Sequence, residues 1–282
     1  MNKDLFIKHI RWLFREYDTQ FKLALKAAKE EPVHDLRVMI KRLNTLFLFL
    51  NEADIYKKRS NDFFKRLRIF FRSAGYLRDM QVIRSLMGDY KSRTKYNFPE
   101  YEYYLAGKEV SAKNSFFQNA KKYPKQMQTE VKNAIIRSVR KISDESLTLK
   151  SFLFMIKRLN RLDEYLQSIS TSKYLHKIRQ TLKQLRYFIE IFQAGSDLYL
   201  IEESDYIEIK EIENIIGGWN DRSILIEDIK NYKTFNQKLG SQSKWPELST
   251  LEQVIKTDRK EMVKYIKPRL LKFIYHLKYS IL

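Results

Sequence analysis

Two segments carry the residue types best suited to chemistry. EPVHDLRVMIKRLNTLFLFL, residues 31–50, holds His34, Arg37, Lys41 and Arg42, and SKYLHKIRQTLKQLRYFIEIF, residues 172–192, holds His176, Arg179, Lys183 and Arg186. Arginine offers a planar fork that grips two oxygens, lysine a mobile point charge, and histidine a donor set that grows when the ring is protonated. Such a set suits the binding of anionic oxygens. Bond cleavage would need other arrangements, and their motifs are missing: the chain has no His-Glu-x-x-His, no Gly-x-x-x-x-Gly-Lys and no cluster of acids suited to magnesium. No enzymatic activity, cofactor or metal site is therefore expected.

The two segments align without a gap. His34 and His176, Arg37 and Arg179, Lys41 and Lys183, and Leu43 and Leu185 all stand 142 positions apart. At the same offset Gly75 falls on Gly217 and Asp79 on Asp221, so a glycine followed by an aspartate four residues later also recurs. On a helix, His34, Arg37 and Lys41 fall within about 60° of one another, while Leu36, Met39, Ile40, Leu43 and Phe47 take the other side. The second copy divides alike, with His176, Arg179, Lys183 and Arg186 on one stripe and Ile178, Leu182, Leu185, Ile189 and Phe192 opposite. A solvated amphipathic face explains most lone charge runs. It gives no reason to repeat His, Arg and Lys at fixed spacing.

The elements that must position these residues read as helices throughout. Only 7 glycines and 5 prolines punctuate 282 residues, and 44% of the chain is hydrophobic, enough for a substantial core. The pattern predicts helices over about 3–29, 33–51, 57–73, 76–91, 100–122 and 124–142, then 149–168, 173–193, 204–216, 218–238 and 249–279, with ends uncertain by about 2–4 residues. Gly75 and Gly217 are expected to permit tight helix entries, which Asp79 and Asp221 cap unless they hold a neighbouring arginine in place. Pro32 suits a first helical turn, Ser172 an N-cap, and Pro268 a kink or division of the last helix. ISDESLTLK, residues 142–150, reads as a polar connection between two repeats at approximately 1–143 and 144–282.

Composition narrows the partner. Lys plus Arg number 54 against 34 Asp plus Glu, a net charge of +20 that attracts anions of many kinds. The absence of cysteine excludes disulfides and cysteine-bound zinc. The opening MNKDLFIKHIRWLFREY lacks a signal-peptide core, and charges interrupt every apolar run before membrane-spanning length, so the cytoplasm is the expected location.

The pattern H-x-x-R-x-x-x-K on two helices, each followed about forty residues later by Gly-x-x-x-Asp, resembles the CHAD family, the conserved-histidine α-helical domain. The likeness spans nearly the whole chain. It implies an all-α single domain over residues 1–282, in which two pseudo-symmetric helical bundles enclose a basic central groove or pore. It also implies non-catalytic binding of inorganic polyphosphate by a stand-alone member, with location at polyphosphate granules. Carried over by position, the binding residues are His34, Arg37, Lys41 and Arg42 with His176, Arg179, Lys183 and Arg186. Asn44 stands where members often have a basic residue, and Gln184 stands at the position matching Arg42, so each strip lacks one charge that the other has. The Glu-x-Glu-x-Lys motif of the triphosphate-processing barrel sometimes fused to such domains is absent.

Polyphosphate has charge but no bases, so its receptor gains nothing from stacking platforms. A histidine beside it should hold its proton to higher pH, and binding should tighten toward pH 6. Weak nucleic-acid binding by the same surface is the leading alternative, although Phe47, Phe49, Phe63, Phe64, Phe70, Phe71, Phe188 and Phe192 lie at core spacing. The basic, amphipathic C-terminal helix is the one hint of an anionic membrane surface. His9 and His276 have no counterpart at the offset and read as surface or boundary residues.

Overall fold

The computed structural model describes residues 1–57, 62–167, 172–196, 202–238 and 245–281. These form helices α1 (Lys3–Ala27), α2 (Glu30–Glu52), α3 (Asp62–Thr94), α4 (Pro99–Lys121), α5 (Lys125–Arg140), α6 (Asp144–Gln167), α7 (Ser172–Ala194), α8 (Glu203–Lys238) and α9 (Pro246–Ile281). No strand occurs among the described residues, and no helix there is long and apolar enough to cross a membrane.

Local chemistry sets several helix ends. The Asn2 side chain accepts from the backbone N–H groups of Asp4 and Leu5 at 2.9 and 3.0 Å, satisfying two donors that α1 leaves open. Ala28 ends α1 in the left-handed region, and Pro99 opens α4 where its missing N–H does no harm. Pro32 sits in the first turn of α2, and α9 is one helix with Pro268 inside it, not two. The connection after residue 140 is short, since α6 begins at Asp144.

Each apolar stripe finds a neighbouring helix. Helix α1 packs on α2, α2 on α3 and α3 on α4; α6 packs likewise on α7, α7 on α8 and α8 on α9. Adding 142 to the bounds of α2 gives those of α7. The two series meet through α2 against α7 and α3 against α8. Phe49 of α2, Phe154 of α6 and Phe188 of α7 form one aromatic cluster, with ring centroids 4.5–5.5 Å apart. Burial of such rings removes apolar surface from water and so holds the two series together.

Two expected helix breaks are absent. Residues 73–76 lie inside the unbroken α3, and residues 216–218 lie inside α8, so neither Gly75 nor Gly217 makes a turn and neither Asp79 nor Asp221 caps an end. Helices of 33 and 36 residues tolerate these glycines because packing outweighs a local propensity loss of about 1 kcal/mol. Each glycine instead makes room for an arginine.

Candidate anion-binding site

The N-terminal halves of α2 and α7 bring Arg37, Lys41, Arg179 and Lys183 to one cavity of about 650 Å³. His176 stands at its rim, exposed, with its Nε2 2.8 Å from Gln180 Nε2. Further along the same helices the wall changes to Asn44, Thr45, Leu48 and Asn51 of α2 and to Gln184 and Tyr187 of α7, while Phe71 of α3 closes one side. Among the described residues, no acidic side chain lines this space.

Arg37 is held in place on three sides. Its Nη1 donates to the Phe71 carbonyl at 3.2 Å, and its guanidinium carbon lies 4.7 Å from the centre of the Phe71 ring. The third side is Gly75, where a Cβ would stand 2.6 Å from Arg37 Nη1. Arg179 rests on Gly217 in the same way but more loosely, the corresponding approach being 3.6 Å. Its Nε is buried with no hydrogen-bond partner. The repeated Gly-x-x-x-Asp thus contributes space for a guanidinium and then a carboxylate one turn on.

Crowding of like charges in a partly desolvated space shifts the titrations here. Burial, then Lys183, Arg37 and Arg179, push the Lys41 ammonium down to about 6, with Glu213 opposing. Lys183 falls to about 8 through burial and Arg179. Asp79 rises to about 6, because burial and Asp221 together outweigh the pull of Arg37 and other nearby cations. Burial also lowers Arg37, against the opposing Asp79.

Three of the eight expected residues lie elsewhere. Arg42 turns to Glu190 at 2.8 Å, on the far side of Tyr187, where a smaller cavity also holds His9 and Trp12. Arg186 makes paired bonds to Glu213 at 3.0 and 3.1 Å and a further one to Glu190 at 2.8 Å. Both are neutralised by carboxylates and take no part in the cavity wall. His34 is outside the lining set as well; burial, then Arg78 and Lys41, lower its pKa. His9 is half-buried, a boundary position, and stacked on Trp12, and its pKa falls to about 4 through burial and Arg42.

Sequence reasoning missed Glu213, Glu190 and the cavity role of Phe71. Glu190 follows Arg186 by four residues, a spacing that pairs on a helix and was available as a signal. Nothing in the sequence pointed to Glu213, which arrives from α8. Phe71 was assigned to the core by its spacing; it is half-buried and serves the cavity, whereas Phe47, Phe49, Phe63, Phe64, Phe70, Phe188 and Phe192 are buried.

Fold and site together define an all-helical protein with a cation-lined, open-mouthed cavity between two helices of matched sequence. The family model of the CHAD domain matches residues 8–230, and the chain belongs to that family. The crystal structure of the CHAD domain from the plant Ricinus communis superposes with a TM-score of 0.67, covering 95% of this chain and 91% of that one at 13% identity. Identity that low establishes a shared fold. No curated protein matches the chain.

Proposed function

We propose that this chain binds inorganic polyphosphate without transforming it, using Arg37, Lys41, Arg179 and Lys183 as the principal contacts. The observation that carries the reading is the grouping of four cations from two helices on one cavity with no acidic side chain in its wall. Surface lysines normally find carboxylates or water, and a desolvated group of like charges lowers stability unless an anion compensates it. Polyphosphate binding is the activity associated with the family, and the two halves would then flank a shared basic groove. His34 and His176 stand near enough to the cations to join when a long chain extends past the cavity. Arg42 and Arg186 act as supports. A cytoplasmic place at polyphosphate granules fits this role, as does weak, salt-sensitive binding of nucleic acid to a surface of net charge +20.

The test is titration of long-chain polyphosphate and of single-stranded DNA at near-physiological salt, against wild type and the quadruple variant R37A/K41A/R179A/K183A. Polyphosphate should bind more tightly than DNA, and the folded variant should lose at least about a hundredfold, some 2.7 kcal/mol. Equal binding of the two polymers, or an unaffected variant, would return the cations to the status of solvated faces.

A further inference from the structure

The cavity is built for more than phosphate. Along α2 its wall runs from Arg37 and Lys41 to Asn44, Leu48 and Asn51, and along α7 from Arg179 and Lys183 to Gln184 and Tyr187. Arg37, Lys41, Arg179 and Lys183 occupy matched positions on the two helices and gather at one end of the cavity, where Arg179 lowers the pKa of Arg37 and Lys183 that of Lys41. The amides and apolar groups make up the rest. From Lys41 to Asn51 this second part extends roughly 15 Å along the helix. Apolar surface forms the larger share of the wall. A chain of phosphates has no use for Leu48, and it cannot saturate the acceptors of Asn44 and Gln184. Neither amide makes a side-chain hydrogen bond among the described residues.

The position of these amides is specific. Asn44 occupies the place matching Arg186, and Gln184 the place matching Arg42. Both arginines are drawn out to Glu190, which leaves amides, not cations, facing the cavity beyond the lysines. An alkyl phosphate would set hydrocarbon against two unpaired amides, an unfavourable match. A nucleobase meets both demands, since its edge carries donors and acceptors and its face is apolar.

We infer that the cavity is a binding site for nucleoside polyphosphates, with the phosphate chain on Arg37, Lys41, Arg179 and Lys183 and the base beside Asn44, Gln184 and Leu48. The inference rests on the phosphate-binding role of the four cations given above. The base is positioned by amide hydrogen bonds at its edge and by apolar contact with Leu48 on its face. A volume of about 650 Å³ holds a ligand of this size.

The experiment compares inorganic tripolyphosphate with adenosine and guanosine triphosphates by calorimetric titration of the full chain, in chelator and without magnesium. Esterification removes a terminal charge, so electrostatics alone would make the inorganic anion bind more tightly. At least one nucleoside triphosphate should instead bind about tenfold more tightly. In N44L/Q184L that advantage should vanish while tripolyphosphate affinity stays unchanged. Should the double variant lose its fold, N44A, at an exposed position, carries the same comparison. Tripolyphosphate binding equal to or tighter than both nucleotides, or equal losses for all three ligands in the variant, overturns this inference alone. Absence of binding by tripolyphosphate, long polyphosphate and nucleotides overturns the proposed function with it.

Discussion

Lys41 and Arg42 are adjacent in sequence and end in opposite electrostatic surroundings. Lys41 enters a cavity whose near neighbours are Lys183, Arg37 and Arg179, and its pKa falls to about 6. Arg42 crosses to Glu190, which Arg186 and the Tyr206 hydroxyl also engage, at 2.8 and 2.6 Å. On α7 the contrast repeats between Lys183, 3.9 Å from Glu213, and Arg186, which makes paired bonds to that same carboxylate. The clamp around Glu190 and Glu213 uses charge to hold helices together. In the cavity the cations outnumber the carboxylates near them, Glu213 by Lys183 and Asp79 by Arg37, an arrangement that costs stability and that the proposed function assigns to an anion from outside.

Breaking the clamp should have the largest effect. Arg186→Met leaves Glu213, which is buried, without its paired donor, and loss of one partner from such a pair destabilises by about 3–5 kcal/mol. Chemical denaturation should show that loss, while the remaining folded protein keeps most of its polyphosphate affinity. A large affinity loss without destabilisation would instead move Arg186 into the binding surface.

The next effect has the reverse sign. Lys41→Met should weaken polyphosphate binding about tenfold, some 1.4 kcal/mol, and raise the thermal midpoint by roughly 2–4 °C for each kcal/mol recovered. The pH dependence follows from the lowered pKa. The unfolded chain keeps this lysine protonated up to about 10.4, whereas the folded protein releases the proton near about 6. Between those values unfolding takes up a proton, so wild-type stability falls as pH drops from 10 toward 6, and the variant loses that component of the slope. Binding runs the other way, tightening from pH 8 to 6 as Lys183 and then Lys41 become protonated. Melting curves and titrations at three pH values check both slopes; a pH-independent affinity would separate the lysines from the ligand.

The smallest effect sharpens the comparison between halves. Gly75→Ala would set a Cβ against the Arg37 guanidinium, which Phe71 already confines, so affinity should fall severalfold. Gly217→Ala meets Arg179 only at ordinary contact distance; it should leave affinity unchanged and add up to about 1 kcal/mol of helix stability. Equal responses at the two sites would show that the tighter fit around Arg37 has no functional weight.

Much of this protein was legible before any coordinates. Period and composition determined helices, because an apolar stripe every three to four residues can be buried in no other regular structure. The fixed offset of 142 determined that Arg37 and Arg179, Lys41 and Lys183, and Gly75 and Gly217 are matched pairs. Tertiary structure alone decided what surrounds each pair. Gly75 and Gly217 looked like turns because glycine weakens an isolated helix; their real neighbour is an arginine from another helix, absent from any local window. Arg42 was expected at the site from the family resemblance and Arg186 from its place on the cationic stripe of a helical wheel, and neither shows which carboxylates face an arginine. Glu213 and Glu190 decide their fate, and the partition of identical charges into clamp and cavity depends on carboxylates distant in sequence, whose field acts only at short range.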